Sequence, residues 1–384
     1  MVGAYPRIID STLRDGEQAP GVAFSRKEKL CVAQMLDEVG IDEIEAGIPA
    51  MGYEECNTIR QITRLGLKAR VSVWSRALIN DIEMAASTQA EGIHIAFPLS
   101  DIQLSSMSKD WSWVKNMLPA AVNYSRRYFQ YISVGAQDAT RCEIERLMEF
   151  VGMSEELGIC RIRIADTVGI LTPMNTMKLI GDITQLYPQL DIDFHAHNDL
   201  GMATANAISA WQAGATDLSI TVNGLGERAG NASLEEIIMT LLLVYKQTHF
   251  VTSGLYALCK YVSDISGRPI PESKPICGNM VFSHESGIHA KSALIEPTAF
   301  QAFDGNIVGR ESSRNLFGKH SGTGALASFL NENNITVAAS QLPLLMKKVY
   351  KIAQQKKRNV LPSEIINEYY NLTSKGNKTI QKEK

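Results

Sequence analysis

The chain has 384 residues, 45% hydrophobic and 21% charged, with a formal net charge of −3. That composition is ordinary for a globular protein with a sizeable core, gives no bulk attraction to nucleic acid or anionic membrane, and includes no apolar run near the ~20 residues a membrane span needs. The six cysteines, Cys31, Cys56, Cys142, Cys160, Cys259 and Cys277, are scattered without a CxxC pair; this argues against a disulfide framework or thiolate zinc site and fits a reducing cytoplasm, and with no basic segment leading into an apolar core at the start, no signal peptide is expected.

From the N-terminus, short β-branched runs alternate with longer helical patterns. Strands are predicted at Arg7–Asp10, Asp42–Ala46, Arg70–Trp74, Gly92–Phe97, Tyr131–Gly135, Arg161–Ala165, Asp191–His195 and Asp217–Val222. Helices are predicted between them, among others over Arg26–Val39, Arg141–Leu157 and Pro173–Leu186. Ser25 with Glu28 three residues on forms a capping box, and Thr172-Pro173 places proline just inside a helix start. Strands alternating with helices mean repeated βαβ units and a parallel sheet. Eight such units suit a closed (β/α)8 TIM barrel, with an open doubly wound sheet as the alternative. The pattern breaks at Gly267-Arg268-Pro269-Ile270-Pro271. The expected organisation is a barrel over residues 1–267, a loop-rich lid or linker over 268–322, and a small helical subdomain over 323–384. Within that subdomain helices are predicted at Thr323–Leu330, Gln341–Gln355 and Ser363–Tyr370, with a lysine-rich tail from Ser374 that frays.

In a barrel, chemistry sits where strands end at the C-terminal face. The seventh strand runs into His195-Ala196-His197-Asn198-Asp199. Imidazoles at i and i+2 on an extended strand share a face and make a ready metal-binding pair; the alternative is two hydrogen-bonded histidines at a strand end. The first strand ends in Asp10-Ser11-Thr12-Leu13-Arg14-Asp15-Gly16-Glu17-Gln18. There Asp15 is a candidate oxygen ligand, and Arg14 could clamp a carboxylate or carbonyl. Thr167, after the sixth strand, is a hydroxyl donor or a turn residue. After the eighth strand, Asn223-Gly224-Leu225-Gly226-Glu227-Arg228-Ala229-Gly230-Asn231 has glycines that allow close approach of a ligand. Asn231 is a ligand candidate or a helix N-cap.

Together these three long motifs, in this order, resemble the Claisen-condensing, metal-dependent TIM barrels: isopropylmalate, citramalate and homocitrate synthases, with hydroxymethylglutaryl-CoA lyase more distant. The resemblance runs from about Arg7 to the last helix. Within the group, Gly47-Ile48-Pro49-Ala50-Met51-Gly52 and the overall length resemble the homocitrate synthases of nitrogen-fixing bacteria. The resemblance implies a divalent ion (magnesium, manganese or zinc) held by Asp15, His195 and His197, with Asn231 as a possible fourth ligand. A 2-oxo acid would lie against it, with Arg14 by the ketone oxygen, Thr167 on the carboxylate and Gln18 among the substrate-binding residues. The stretch His284-Glu285-Ser286-Gly287-Ile288-His289 resembles the one that brings a catalytic histidine, with His289 the better match; from the residues alone, a structural loop is the plainer reading. The co-substrate implied is acetyl-CoA, and the assembly a homodimer in which the C-terminal region covers the partner's barrel.

Two departures stand out. Gly135-Ala136-Gln137-Asp138-Ala139 carries Gln137 where the family usually has glutamate; an amide can donate a hydrogen bond but cannot act as acid or base. The leucine-sensing C-terminal domain of many isopropylmalate synthases is also missing, so leucine feedback through it is not expected. The expected activity is homocitrate synthesis from acetyl-CoA and 2-oxoglutarate in the cytoplasm, serving nitrogen fixation. Isopropylmalate or citramalate synthesis, acyl-CoA cleavage and a non-catalytic metal-binding paralogue are the alternatives. A second substrate carboxylate needs a cation or several donors. Arg76 and His94, at the third and fourth strands, are the candidates for that pocket, or else structural hydrogen-bonders.

Overall fold

The structure is a computed structural model and describes residues 5–285, 296, 299–310 and 314–380. The chain divides into two compact units, Met1–Ile270 and Pro271–Lys384.

The first unit is a closed barrel. Its strands are β1 (Arg7–Asp10), β2 (Glu43–Glu45), β3 (Arg70–Arg76), β4 (Gly92–Pro98), β5 (Tyr131–Gln137), β6 (Arg161–Asp166), β7 (Asp191–Ala196) and β8 (Asp217–Ile220). They pair in sequence order, and β1 closes on β8 in parallel through Arg7↔Asp217 and Asp10↔Ile220. The open-sheet alternative is thereby excluded. β3 and β5 each run two residues further than expected, which carries Arg76 and Gln137 onto strand ends.

Helices α1 (Arg26–Val39), α2 (Tyr53–Thr63), α3 (Ile79–Ala86), α4 (Asp101–Ser106), α5 (Trp111–Ser125), α6 (Ile144–Glu156), α7 (Pro173–Leu186), α8 (Ala203–Gln212), α9 (Leu234–Leu243) and α10 (Leu255–Ser266) surround the barrel or follow it. The Ser25/Glu28 capping box forms in both directions, and Thr172 caps α7 by accepting from the Asn175 backbone N–H. α6 starts three residues later than predicted. Residues Ala139–Arg141 form a 3-10 turn instead, and Arg141 is held by the Asp138 carboxylate at 2.7 Å.

The strands alternate in an uncommon sense. Barrel interiors are usually filled with branched apolar side chains. Here Ile8, Ile44, Val73, Ile93, Ile95, Val134, Ile162, Ile164, Ile192 and Leu218 are fully buried apolar residues of the strands, while charged residues of the opposite parity meet across the barrel. Arg161 on β6 makes two 2.8 Å bonds to Glu43 on β2. One level higher, Arg163 reaches Glu45 at 2.9 Å and Asp193 at 2.5 Å. Ser219 donates to Asp193, and the Tyr131 ring lies against Arg161. The barrel axis is thus a stack of buried ion pairs rising toward the C-terminal mouth.

In the second unit, Ser283–His284 pairs in parallel with Arg314–Asn315. The helices Thr323–Glu332, Leu342–Lys356 and Pro362–Ile380 follow. Phe317, Leu326, Leu330, Leu345, Val349, Val360 and Ile365 form their core. The last helix continues ten residues beyond the predicted end at Tyr370, into the stretch expected to fray, and Leu372 still packs against that core. Among the described residues, no helix is long and apolar enough to cross a membrane.

Candidate active site

The C-terminal mouth opens into a cavity. Its wall includes Arg14, Asp15, Gln18, His94, Thr167, His195 and His197 from the residues expected there. The alternation of β7 and its continuation puts His195 and His197 on one face, with ring centroids 5.0 Å apart. Asp15, from the turn after β1, brings its Oδ2 to 3.4 Å from His195 Nε2 and 3.9 Å from His197 Nε2. All three side chains are at least nine-tenths buried.

The mouth is organised around these groups. Asn231 donates its amide to Asp15 Oδ2 at 2.7 Å and to the Leu225 carbonyl at 3.0 Å. The glycines of this loop are required sterically. A Cβ on Gly226 would strike the Asn231 amide, and one on Gly230, where φ is +88°, would strike the Gly224 carbonyl. Arg14 is held by Glu45 and by Asp15 at 3.1 Å, and its guanidinium lies 5.9 Å from the Trp74 ring. Thr167 accepts the Asp138 backbone N–H at 2.8 Å, so its own hydroxyl proton is available to donate elsewhere. Arg228 spans the rim, pairing with Asp199 at 2.8 Å and donating to the Thr167 carbonyl at 2.6 Å.

Electrostatics set the protonation states. Burial pushes Asp15 upward, but Arg14 and then His195 outweigh it and hold the carboxyl well below its ordinary range. Burial, reinforced by His195, lowers His197 to about 4, so it is neutral near pH 7. Burial and the neighbouring Arg163 and Arg161 lower His94 strongly. Asp10, at the end of β1, is pushed up to about 7 by burial against the pull of Thr12, which donates to both its oxygens.

A carboxylate oxygen and two imidazole nitrogens, mutually within 4.8 Å, suit a divalent cation. Ligand atoms about 2.1 Å from a common ion sit roughly 3–3.5 Å apart, close to the spacing here. The cluster also carries buried polar atoms, Nδ1 of both histidines and Oδ1 of Asn231, with no hydrogen-bond partner among the described residues. That under-satisfaction fits a site built to take up a further group.

One expected residue is placed differently. Arg76 is not in the cavity wall. Its guanidinium turns back onto Asp81 of α3 at 2.6 and 3.0 Å, and its side chain is 55% exposed. His94 is in the wall but as a neutral ring, bonded through Nδ1 to Ser133 at 2.9 Å. His289 lies outside the described residues; His284 sits in the short strand Ser283–His284 of the second unit. The wall also contains Trp74, Ala96, Gly135, Gln137, Arg163 and Arg228, none of them among the site residues expected from the sequence. Strand parity could have found several of them: Arg163 and Ala165 share the face of Thr167, and Gly135 that of Gln137.

A closed parallel barrel with a carboxylate, two imidazoles and several guanidiniums at its C-terminal mouth has the build of a TIM-barrel enzyme. Residues 5–262 match the HMGL-like family, and residues 276–357 match the homocitrate synthase post-HMGL domain-like family. The chain therefore belongs to the HMGL-like family, in its isopropylmalate and homocitrate synthase branch. It is 42% identical to 2-isopropylmalate synthase 2 of Caldanaerobacter subterraneus subsp. tengcongensis, over 96% of both chains. It is 38% identical to homocitrate synthase 1 of Nostoc sp., over 94% of this chain and 96% of that one. It is also 38% identical to (R)-citramalate synthase of Methanocaldococcus jannaschii, over 89% of this chain and 70% of that one. The fold is shared with Bacillus subtilis HMG-CoA lyase, at a TM-score of 0.64 and 20% identity over 70% of this chain and 96% of that one.

Proposed function

We propose that the protein is a homocitrate synthase, joining acetyl-CoA to 2-oxoglutarate by Claisen condensation with hydrolysis of the thioester. The observation that carries the reading is the buried Asp15, His195 and His197 cluster, with Arg14 beside it, at the mouth of the barrel. Those three residues, with Asn231 as a further ligand, would hold a divalent ion, magnesium, manganese or zinc, which supplies Lewis-acid polarisation of the 2-oxo acid. Arg14 would donate to the ketone oxygen and stabilise the negative charge that develops on it. Thr167, one lone pair taken by the Asp138 N–H, would donate a hydrogen bond to the substrate carboxylate, and Gln18 contributes a further donor at the rim. His289, brought from the second unit of a partner subunit in a homodimer, would take the proton from the acetyl methyl group. The nucleophilic carbon then attacks the ketone carbon, the C=O π pair becomes an alkoxide that takes up a proton, and water cleaves the thioester to release CoA. Gln137 binds rather than shuttles protons, since an amide does not titrate.

A second reading, isopropylmalate synthesis from 2-oxoisovalerate, is favoured by the 42% identity to the Caldanaerobacter protein so named. The test is acetyl-CoA-dependent thiol release with a panel of 2-oxo acids under one metal. The expected result is a higher kcat/KM for 2-oxoglutarate; a preference for 2-oxoisovalerate overturns the homocitrate assignment. The expected use of the product is in building the nitrogenase metal cofactor, which a growth test on dinitrogen with the gene deleted and homocitrate supplied would check.

A further inference from the structure

Arg76 is engaged by Asp81, outside the cavity wall, and His94 is neutral, so neither supplies a cation for a second substrate carboxylate. A different cation reaches the wall. Arg163, on β6, is 3% exposed. Its Nε is taken by Asp193 and its Nη1 by Glu45. Its Nη2 is buried with no hydrogen-bond partner among the described residues. A guanidinium clamped at two of its nitrogens by carboxylates on different strands has its remaining nitrogen fixed in direction before any ligand arrives. An orphaned donor on a buried cation costs free energy that a carboxylate ligand would recover.

The surroundings of Arg163 are cleared for such a ligand. Its partner in strand register is Gly135, whose own neighbour on β4 is Ala96. The next wall residue on β6 is Ala165. Because Gly135 has no side chain, the His94 ring lies against β5; a Cβ there would come within 2.5 Å of His94 Nε2. With Nδ1 engaged by Ser133, His94 can present an Nε2–H as a second donor beside Arg163. We infer that Arg163 anchors the distal carboxylate of a dicarboxylic 2-oxo acid, with His94 as its companion donor and Gly135 keeping the space between them open. This rests on the Claisen reading of the same site and gives it a substrate-selecting residue.

The test compares 2-oxoglutarate with 2-oxobutyrate, which lacks the second carboxylate, in the full-length enzyme. In Arg163→Gln, kcat/KM for 2-oxoglutarate is expected to fall by about 10²-fold relative to that for 2-oxobutyrate, chiefly through KM. Calorimetric binding of 2-oxoglutarate should weaken in parallel. Removing Arg163 from Glu45 and Asp193 endangers folding, so Gly135→Ala is the second variant: it leaves those ion pairs in place and pushes the His94 ring toward the ligand. It is expected to lose selectivity in the same direction. A wild-type preference for 2-oxoglutarate that survives in folded Arg163→Gln, or in Gly135→Ala if the first variant does not fold, overturns this inference alone. A wild-type preference for 2-oxoisovalerate overturns it together with the homocitrate assignment.

Discussion

Thr167 has its role set by one neighbour. A threonine hydroxyl can donate once and accept twice, and the Asp138 N–H at 2.8 Å takes one of its lone pairs, leaving the O–H to donate. Thr167→Val should therefore raise KM for the 2-oxo acid about tenfold, as loss of one hydrogen bond near 1.4 kcal/mol does. Steady-state kinetics would show this, with Thr167→Ser close to wild type. The Asp15, His195 and His197 cluster makes a second expectation. His197 titrates near 4, so protons compete for its ring only in acid. Bound metal, followed by elemental analysis after dialysis, should stay constant from about pH 8 to pH 5.5 and fall as the pH nears 4, since the neutral ring is the ligand. Asp15→Asn should lose the metal across the whole range. These residues were legible in the sequence because they cluster in motifs a few positions long. Arg163 and Trp74 were not, because each enters the cavity from a different strand with no local partner to announce it. Arg76 was over-read: its place at a strand end suggested the mouth, but Asp81 lies one helical start away and captures it.

At the scale of elements, alternation identified the strands but not which face turns inward. A run such as Arg161-Ile162-Arg163-Ile164 fits a strand with its charged side to water. Here the charged side fills the barrel, because Glu43, Glu45, Asp193 and Asp217 on other strands supply the counter-charges, and sequence distance hides those pairings. Glu43 illustrates the cost and return. Burial alone would raise its carboxyl, yet Arg161 brings it down to about 2. A depressed acid contributes stability above its unfolded value, near 4.5, and loses that contribution as the pH falls through about 2. Acid unfolding followed by circular dichroism should therefore steepen between those values. Arg161→Met should destabilise the protein at neutral pH by about 3 kcal/mol, because it leaves the buried Glu43 carboxylate with only the longer Arg70 contact at 3.3 Å. The double variant Glu43→Leu with Arg161→Met should recover much of that loss.

At the scale of the whole molecule, the barrel carries the proposed metal site while the proposed base, His289, belongs to the second unit. If the base serves a partner's barrel, two inactive proteins, Asp15→Asn and His289→Ala, should regain activity when unfolded and refolded together, since mixed dimers contain one intact site. Recovery absent in well-formed heterodimers would mean that each subunit completes its own site. Alone, His289→Ala should depress turnover by about 10²–10⁴-fold with 2-oxo acid binding nearly unchanged. The charged barrel axis has a thermal consequence as well. Unfolding raises heat capacity through the apolar area it exposes and lowers it through the polar area. A barrel that buries guanidiniums and carboxylates where branched aliphatic side chains usually lie should show a heat-capacity increment below the usual ~12–15 cal/mol/K per residue. Its stability would then vary little with temperature, and its ion pairs, whose dehydration costs less when hot, would hold the lumen together on warming.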